Sequence, residues 1–176
     1  MTNDTCIRRC VMGDEAALAL VGGATFLETF AGILDGEAIV AHCRRAQSVE
    51  QYAAWLASAD HAAWLLECQP GGAPVGYMVV APAQLPLPDT TGDLELKRVY
   101  LLDRFRGGGH GSRLVSAAIA HAAGAGARRL LLGVYAHNAP AIRFYERIGF
   151  VRLGERRFKV GNEDYDDHIM GLVLGG

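Results

Sequence analysis

The stretch Leu101-Leu102-Asp103-Arg104-Phe105-Arg106-Gly107-Gly108-Gly109-His110-Gly111-Ser112 decides how the rest of the chain is read. Before it, Leu94 to Leu102 alternates well enough to be a strand, and after it Leu114, Val115, Ala118, Ile119 and Ala122 recur at helical spacing until Gly124 and Gly126. A glycine-rich bend between a strand and a helix leaves main-chain N–H groups uncovered, beside the positive end of the helix. That combination makes a cradle for an anion such as a diphosphate. Gly107, Gly108, Gly109 and Gly111 each carry a folding-entropy cost of about 0.5–1 kcal/mol against alanine in regular structure, which makes a ligand-free bend the weaker reading. Two phosphate-binding patterns fail on the residues. The P-loop ends on Gly-Lys-Ser/Thr, and no lysine stands here. The dinucleotide fingerprint needs Gly-x-Gly-x-x-Gly, but Gly107 and Gly109 are followed by Ser112, and Gly109 and Gly111 by Leu114. Gly124 to Leu132 also holds no acid to bind a ribose.

Working outward, Cys6 to Arg9 reads as a short strand, and Asp14 as the N-cap of a helix whose stripe of Leu18, Val21, Phe26, Leu27 and Phe30 is weakened by Gly22-Gly23. A second helix is expected near Glu37 to Ala46. The capping-box pattern Ser48-Val49-Glu50-Gln51 opens a third, through about Ser58. Ala62 to Cys68 and Val75 to Val80 flank a Pro-Gly-Gly turn and predict a hairpin. Leu130 to Ala136 is a nearly continuous apolar run, as in a strand covered on both faces. Pro140 opens a helix that Gly149 closes, and Phe150 to Leu153 and His168 to Leu174 supply the last strands. Helices alternate with strands, so an α/β or α+β sheet is expected.

The chain has 176 residues, which fits one domain spanning 1–176, and 51% of them are apolar. Its 17 Lys and Arg against 19 Asp and Glu give a net charge of -2, which argues against nucleic acid or a polybasic membrane anchor as partner. A charged fraction of 20% excludes intrinsic disorder. A membrane span needs about 20 largely apolar residues. The longest charge-free stretch, Cys68 to Pro88, is broken by four prolines before its end at Pro88. The N-terminus has no apolar core of a signal peptide, so a soluble cytoplasmic protein is expected. Cys6, Cys10, Cys43 and Cys68 include no second pair at zinc spacing, and the six histidines show no metal motif. Reduced, mostly buried thiols and no metal are therefore the expectation.

Arg106-Gly107-Gly108-Gly109-His110-Gly111 resembles the Arg/Gln-x-x-Gly-x-Gly/Ala signature of the GNAT (Gcn5-related) N-acetyltransferases. Asn138 to Phe150 resembles their second signature, Asn-x-x-Ala-x-x-x-Tyr-x-x-x-Gly-Phe, in the right order and separation. The resemblance spans about residues 6–174. It implies the GNAT fold, a mixed, mostly antiparallel sheet of six or seven strands flanked by helices, with the fourth and fifth strands splayed. Narrower stretches (Glu95 to Leu101, Leu132 to Asn138, Phe158 to Met170 and Phe26 to Phe30) are similar to the PaiA-type spermidine/spermine N-acetyltransferases. His110 departs from that pattern where an aliphatic residue is usual, and Gly107-Gly108 replaces a more basic pair.

The resemblance implies acetyl-CoA as co-substrate, a primary amine as acceptor and polyamine as its first candidate. A peptide α-amine, another small amine, or a non-catalytic acyl-CoA-binding module are the alternatives. The pantetheine would lie along Val99, Tyr100 and Leu101, and the diphosphate would meet the N–H groups of Arg106, Gly107, Gly108, Gly109, His110, Gly111 and Ser112, with the Arg106 side chain adding charge. Asn138, at a strand-to-helix junction, would touch the coenzyme, cap its helix, or do both. Tyr145 would protonate the departing thiolate, the alternative being ring packing alone. Glu95 precedes Arg106 by eleven residues, the separation of the general base from this signature in GNAT histone acetyltransferases. The alternative for Glu95 is a salt bridge to Lys97 or a nearby arginine. Gly161 to Asp167 holds four acids in five residues, read either as a solvated loop or as a surface steering a polycation. The residues do not give the oligomeric state, and the resemblance allows a homodimer.

Overall fold

The computed structural model describes residues 4–160 and 163–175. In chain order the elements are β1 (Thr5–Arg9), α1 (Glu15–Phe30), α2 (Gly36–Ala46), α3 (Val49–Ala57), β2 (Ala62–Cys68), β3 (Ala73–Pro82), β4 (Leu94–Leu101), α4 (His110–Gly124), β5 (Arg129–Tyr135), α5 (Ala139–Ile148), β6 (Val151–Val160) and β7 (Glu163–Val173), with a single 3-10 turn at Asp103–Phe105. The strands form one mixed seven-stranded sheet in the order β1-β2-β3-β4-β5-β7-β6. Only β4 and β5 are described as parallel, over Leu94↔Leu130 and Glu95↔Leu131. A parallel pair needs a crossover, and α4 supplies it. The α/β fold and its mostly antiparallel sheet are as the sequence predicts.

The chain divides into two compact units, one of residues 1–80 with 98–117 and the other of 81–97 with 118–176. In the first, β2 pairs antiparallel with β1 (Leu66↔Ile7) and with β3 (Leu65↔Tyr77). Leu18, Val21, Tyr52, Ala63, Leu65, Tyr77 and Val79 form its core. Burial stabilises each large apolar side chain by about 1.5–3 kcal/mol. Gly22 and Gly23 do not interrupt α1. A methyl at Gly22 would come within 2.6 Å of the Tyr52 hydroxyl and closer still to Gln47, so a larger residue there has to displace both side chains. Ser48 caps α3 by accepting from the Gln51 N–H at 3.1 Å, as the capping box predicts. Asp14 departs from expectation. It precedes α1, but its carboxylate takes two bonds of 2.8 Å from Arg8 and one from the Val11 N–H instead of capping the helix.

In the second unit β7 lies antiparallel to β5 (Leu132↔Met170) and to β6 (Arg156↔Asp167), and Leu85, Leu131 and Ile169 form a core cluster. The last strands are longer than predicted. Glu163 to Asp167 is the start of β7 rather than a loop, with Asp164 opposite Lys159 and Asp166 opposite Arg157. Gly161 and Asn162 lie outside the described residues. The four thiols are free, but only Cys10 is buried. Cys6 is exposed and Cys43 and Cys68 are half-buried, a correction to the expectation of mostly buried cysteines. No helix among the described residues is long and apolar enough to cross a membrane, and no group of His, Cys, Asp or Glu among them could hold a metal ion.

Candidate active site

In the first unit, Val99, Tyr100 and Leu101 end β4, the 3-10 turn follows, and residues 106–109 lead into α4. Gly107 and Gly109 have φ of +83° and +77°, a region that side chains avoid, while a methyl on either would meet nothing within 4 Å. Conformation, rather than space, demands glycine at these two positions. Space governs Gly108, whose methyl would lie 2.8 Å from Nε2 of His110. The bend and the helix start therefore alternate backbone handedness, the geometry in which successive N–H groups point to one side. The first backbone bond formed at this helix start is Arg113 N–H to the Gly109 carbonyl, at 3.1 Å. Among the described residues, the N–H groups of Gly107 to Ser112 have no acceptor within the protein. Six uncovered donors at the positive end of a fifteen-residue helix suit a diphosphate.

Around the bend, His110 Nδ1 lies 3.1 Å from Oγ1 of Thr5 in β1, which also accepts from Arg113 Nη1 at 3.1 Å. The imidazole lies against Gly108 of the bend and is tied to β1. The Arg106 guanidinium pairs with Asp103 at 3.3 Å, both side chains being exposed, so its charge is shared with a carboxylate. Glu28 of α1 accepts from the Asp103 N–H at 2.7 Å and ties α1 to the approach of the bend. The sequence reading missed this tie.

In the second unit, Glu95 is 4% exposed on β4 opposite Leu131 of β5, and its Oε2 accepts from the Gln84 N–H at 3.1 Å. Lys97 bonds to the Gln84 side chain instead, and no ion pair of Glu95 occurs among the described residues. The salt-bridge alternative is therefore not the arrangement formed. Asn138 is the N-cap of α5, its Oδ1 accepting from the Ala141 N–H at 3.2 Å. Tyr145 is 8% exposed, its ring centroid 5.2 Å from that of Phe144 and 5.6 Å from that of Phe150. Gly149, at φ +114°, closes α5 by donating to the carbonyls of Tyr145 and Glu146, which fixes the turn of helix that carries the tyrosine.

A second polar group in the first unit was not legible in the sequence. Arg98, half-buried on β4, donates through Nη1 to Gln47 Oε1 at 2.9 Å and to the Tyr52 hydroxyl at 2.8 Å. Tyr52 in turn donates to Gln47 at 2.5 Å, and the Tyr77 hydroxyl lies 3.5 Å from the same oxygen. The guanidinium stacks 4.7 Å from the ring centroid of Trp55. Burial pushes the hydroxyls of Tyr52 and Tyr77 upward, so both stay neutral. Arg98 is one of three charged residues in β4, with Glu95 and Lys97, and its partners lie 46 and 51 residues away.

A bend rich in glycine leads from β4, the strand parallel to β5, into α4, and its residues fit neither a P-loop nor a dinucleotide fingerprint. The model of the acetyltransferase (GNAT) family matches residues 28–150, and the chain belongs to that family. An uncharacterised N-acetyltransferase of Mycobacterium tuberculosis is 31% identical over 159 residues, which are 90% of this chain and 97% of the relative. Two solved structures share the fold. The PaiA N-acetyltransferase from Thermoplasma acidophilum in complex with coenzyme A has a TM-score of 0.73 at 20% identity, over 97% of this chain and 99% of that one. The yncA protein of Salmonella typhimurium with its cofactor acetyl-CoA has a TM-score of 0.74 at 21% identity, over 98% and 95%.

Proposed function

We propose that the chain is one acetyltransferase domain that moves the acetyl group of acetyl-CoA to a primary amine by direct attack in a ternary complex. The observation that carries this reading is the row of uncovered N–H groups from Gly107 to Ser112 at the start of α4. Those groups bind the coenzyme diphosphate, and Val99 to Leu101 hold the pantetheine arm. Asn138 serves the coenzyme while capping α5. Glu95 takes the proton of the attacking amine, directly or through a water. As the C–N bond forms and the C–S bond breaks, Tyr145 gives its proton to the departing thiolate. Glu95 suits the base because its carboxylate is buried, aligned by the Gln84 N–H and not neutralised by a cation.

Spermidine and spermine are the acceptors that the motif likeness favours. The acidic run adds little to that choice. Asp167 is bonded to Arg156 at 3.1 Å and Asp166 lies 3.9 Å from Arg157, so two of the four acids already face arginines.

Calorimetry with acetyl-CoA, joined to a thiol-release assay over an amine panel, tests the reading. Coenzyme uptake without thiol release would instead mark a non-catalytic acyl-CoA-binding module. Tyr145→Phe should lower kcat by about 10²-fold, the lower end of general acid catalysis, with little change in the coenzyme KM. Glu95→Gln should flatten the acid limb of the pH–rate profile. An unchanged rate in either variant removes that residue from the mechanism.

A further inference from the structure

Arg98 is taken partly out of water with no carboxylate to meet it. Among the described residues its partners are an amide oxygen, a phenol hydroxyl and the faces of Tyr52 and Trp55. A guanidinium carries five N–H donors, and the bonds to Gln47 and Tyr52 both leave from Nη1. Among the described residues, Nε and Nη2 donate to nothing. These two nitrogens form the edge that grips a carboxylate with two parallel bonds.

The surroundings reinforce the charge. Tyr52 and Tyr77 are held neutral by burial. His42, stacked on Phe26 with centroids 4.0 Å apart, is held neutral by burial and by the fields of Arg98 and Arg45. The group therefore offers net positive charge on a wall of rings. Gln47 and Tyr52 hold the guanidinium in one orientation, and Gly22 gives them the room to do so. A cation fixed so carefully and left without an anion is costly unless an anion arrives. Arg98 also immediately precedes Val99 to Leu101, the strand segment to which the thioester arm is assigned.

We infer that Arg98, oriented by Gln47 and Tyr52, binds an oxyanion of the acceptor, so that the acceptor is a small primary amine carrying a carboxylate rather than a bare polycation. This rests on the acetyltransferase reading and replaces the polyamine that the motif likeness favours as its acceptor. A carboxylate engages Nε and Nη2, and its amine is presented to the thioester beside β4. The ring wall around the guanidinium favours an amino acid with an apolar or aromatic side chain. A polyamine brought to the same place would meet like charge.

The test is thiol release by the full chain with acetyl-CoA, using free amino acids, their carboxamides and spermidine. The wild type should favour the acid over its carboxamide by at least tenfold in kcat/KM and turn over spermidine more slowly than the acid. Arg98→Gln should raise the acceptor KM about a hundredfold, bring the acid-to-amide ratio near one and leave the acetyl-CoA KM within twofold. Arg98→Lys should recover part of the loss. If Arg98→Gln does not fold, the acid-to-amide ratio of the wild type decides alone. Equal use of acid and amide, preference for spermidine, or acetyl-CoA binding with no amino acid acetylated would each overturn the inference while sparing the coenzyme cradle. Failure to bind acetyl-CoA would overturn the transferase reading itself.

Discussion

Asp93 in the second unit and Arg98 in the first are both charged groups drawn out of water, and they are met very differently. The Asp93 side chain is fully buried, with Arg129 at 2.5 Å and Arg128 at 3.4 Å. Arg98 is met by Gln47, Tyr52 and aromatic faces, with no opposite charge bonded to it among the described residues. The first arrangement answers its charge from within the fold and anchors the loop before β4 to the start of β5. The second holds a charge in place without cancelling it. A protein can bury either sign, but only the unanswered one is available to a ligand.

Breaking the answered cluster should have the largest effect. Asp93→Asn leaves two partly exposed arginines facing an uncharged amide and should cost about 1.5–3 kcal/mol, the loss expected for a hydrogen bond to a charged group. Urea unfolding measures it, and the acceptor KM of the folded fraction should not move. A small stability loss would mean that the arginines relax into solvent and that the two clusters are less different than their geometry implies.

Gly22→Ala sharpens the contrast from the other side. Alanine in place of glycine within a helix gains about 1 kcal/mol, whereas overpacking costs about 1–3 kcal/mol. The contact with the Tyr52 hydroxyl and Gln47 decides for overpacking, so the variant should melt lower and should weaken acceptor binding by displacing the side chains that orient Arg98. A stabilised protein with an unchanged acceptor KM would show that α1 moves aside at no cost.

The smallest effect concerns pH. His42 is lowered from the usual 6.5 to about 4, first by burial and then by the charges of Arg98 and Arg45. A neutral imidazole is thus favoured in the fold, and its contribution to stability is complete above pH 6.5 and declines as pH falls towards 4. His42→Phe keeps a ring against Phe26 and removes the titration. Thermal melts from pH 7 to pH 4 should fall less steeply in the variant than in the parent, and parallel curves would count against the imidazole's part.

Much of this was legible in the sequence because it is local. The glycine bend, the capping box at Ser48, the proline and glycine that bound α5 and the strand periods all act within a few residues, and the structure carries each of them. What was not legible depends on side chains that meet from different elements. Gln47, Tyr52 and Tyr77 give no sign of one another in the sequence, and Asp14 resembled a plain cap because its partner Arg8 lies on β1. The acidic run misled for a related reason. Read alone it is a charged loop, but Lys159, Arg157 and Arg156 stand opposite Asp164, Asp166 and Asp167 in the β6–β7 register, a pattern that marks two antiparallel strands. The roles of Tyr145 and Glu95 rest on the family resemblance together with their burial and their partners.

The strand order leaves β6 at one end of the sheet, and its sequence, Val-Arg-Leu-Gly-Glu-Arg-Arg-Phe-Lys-Val, puts a charge at half of its ten positions. A border so decorated is a poor template for a foreign strand, since each approaching segment would have to strip water from arginines and a lysine. Association of two copies by extending the sheet is accordingly disfavoured at that border, and the solubility of the molecule is guarded there by the same cations that neutralise β7.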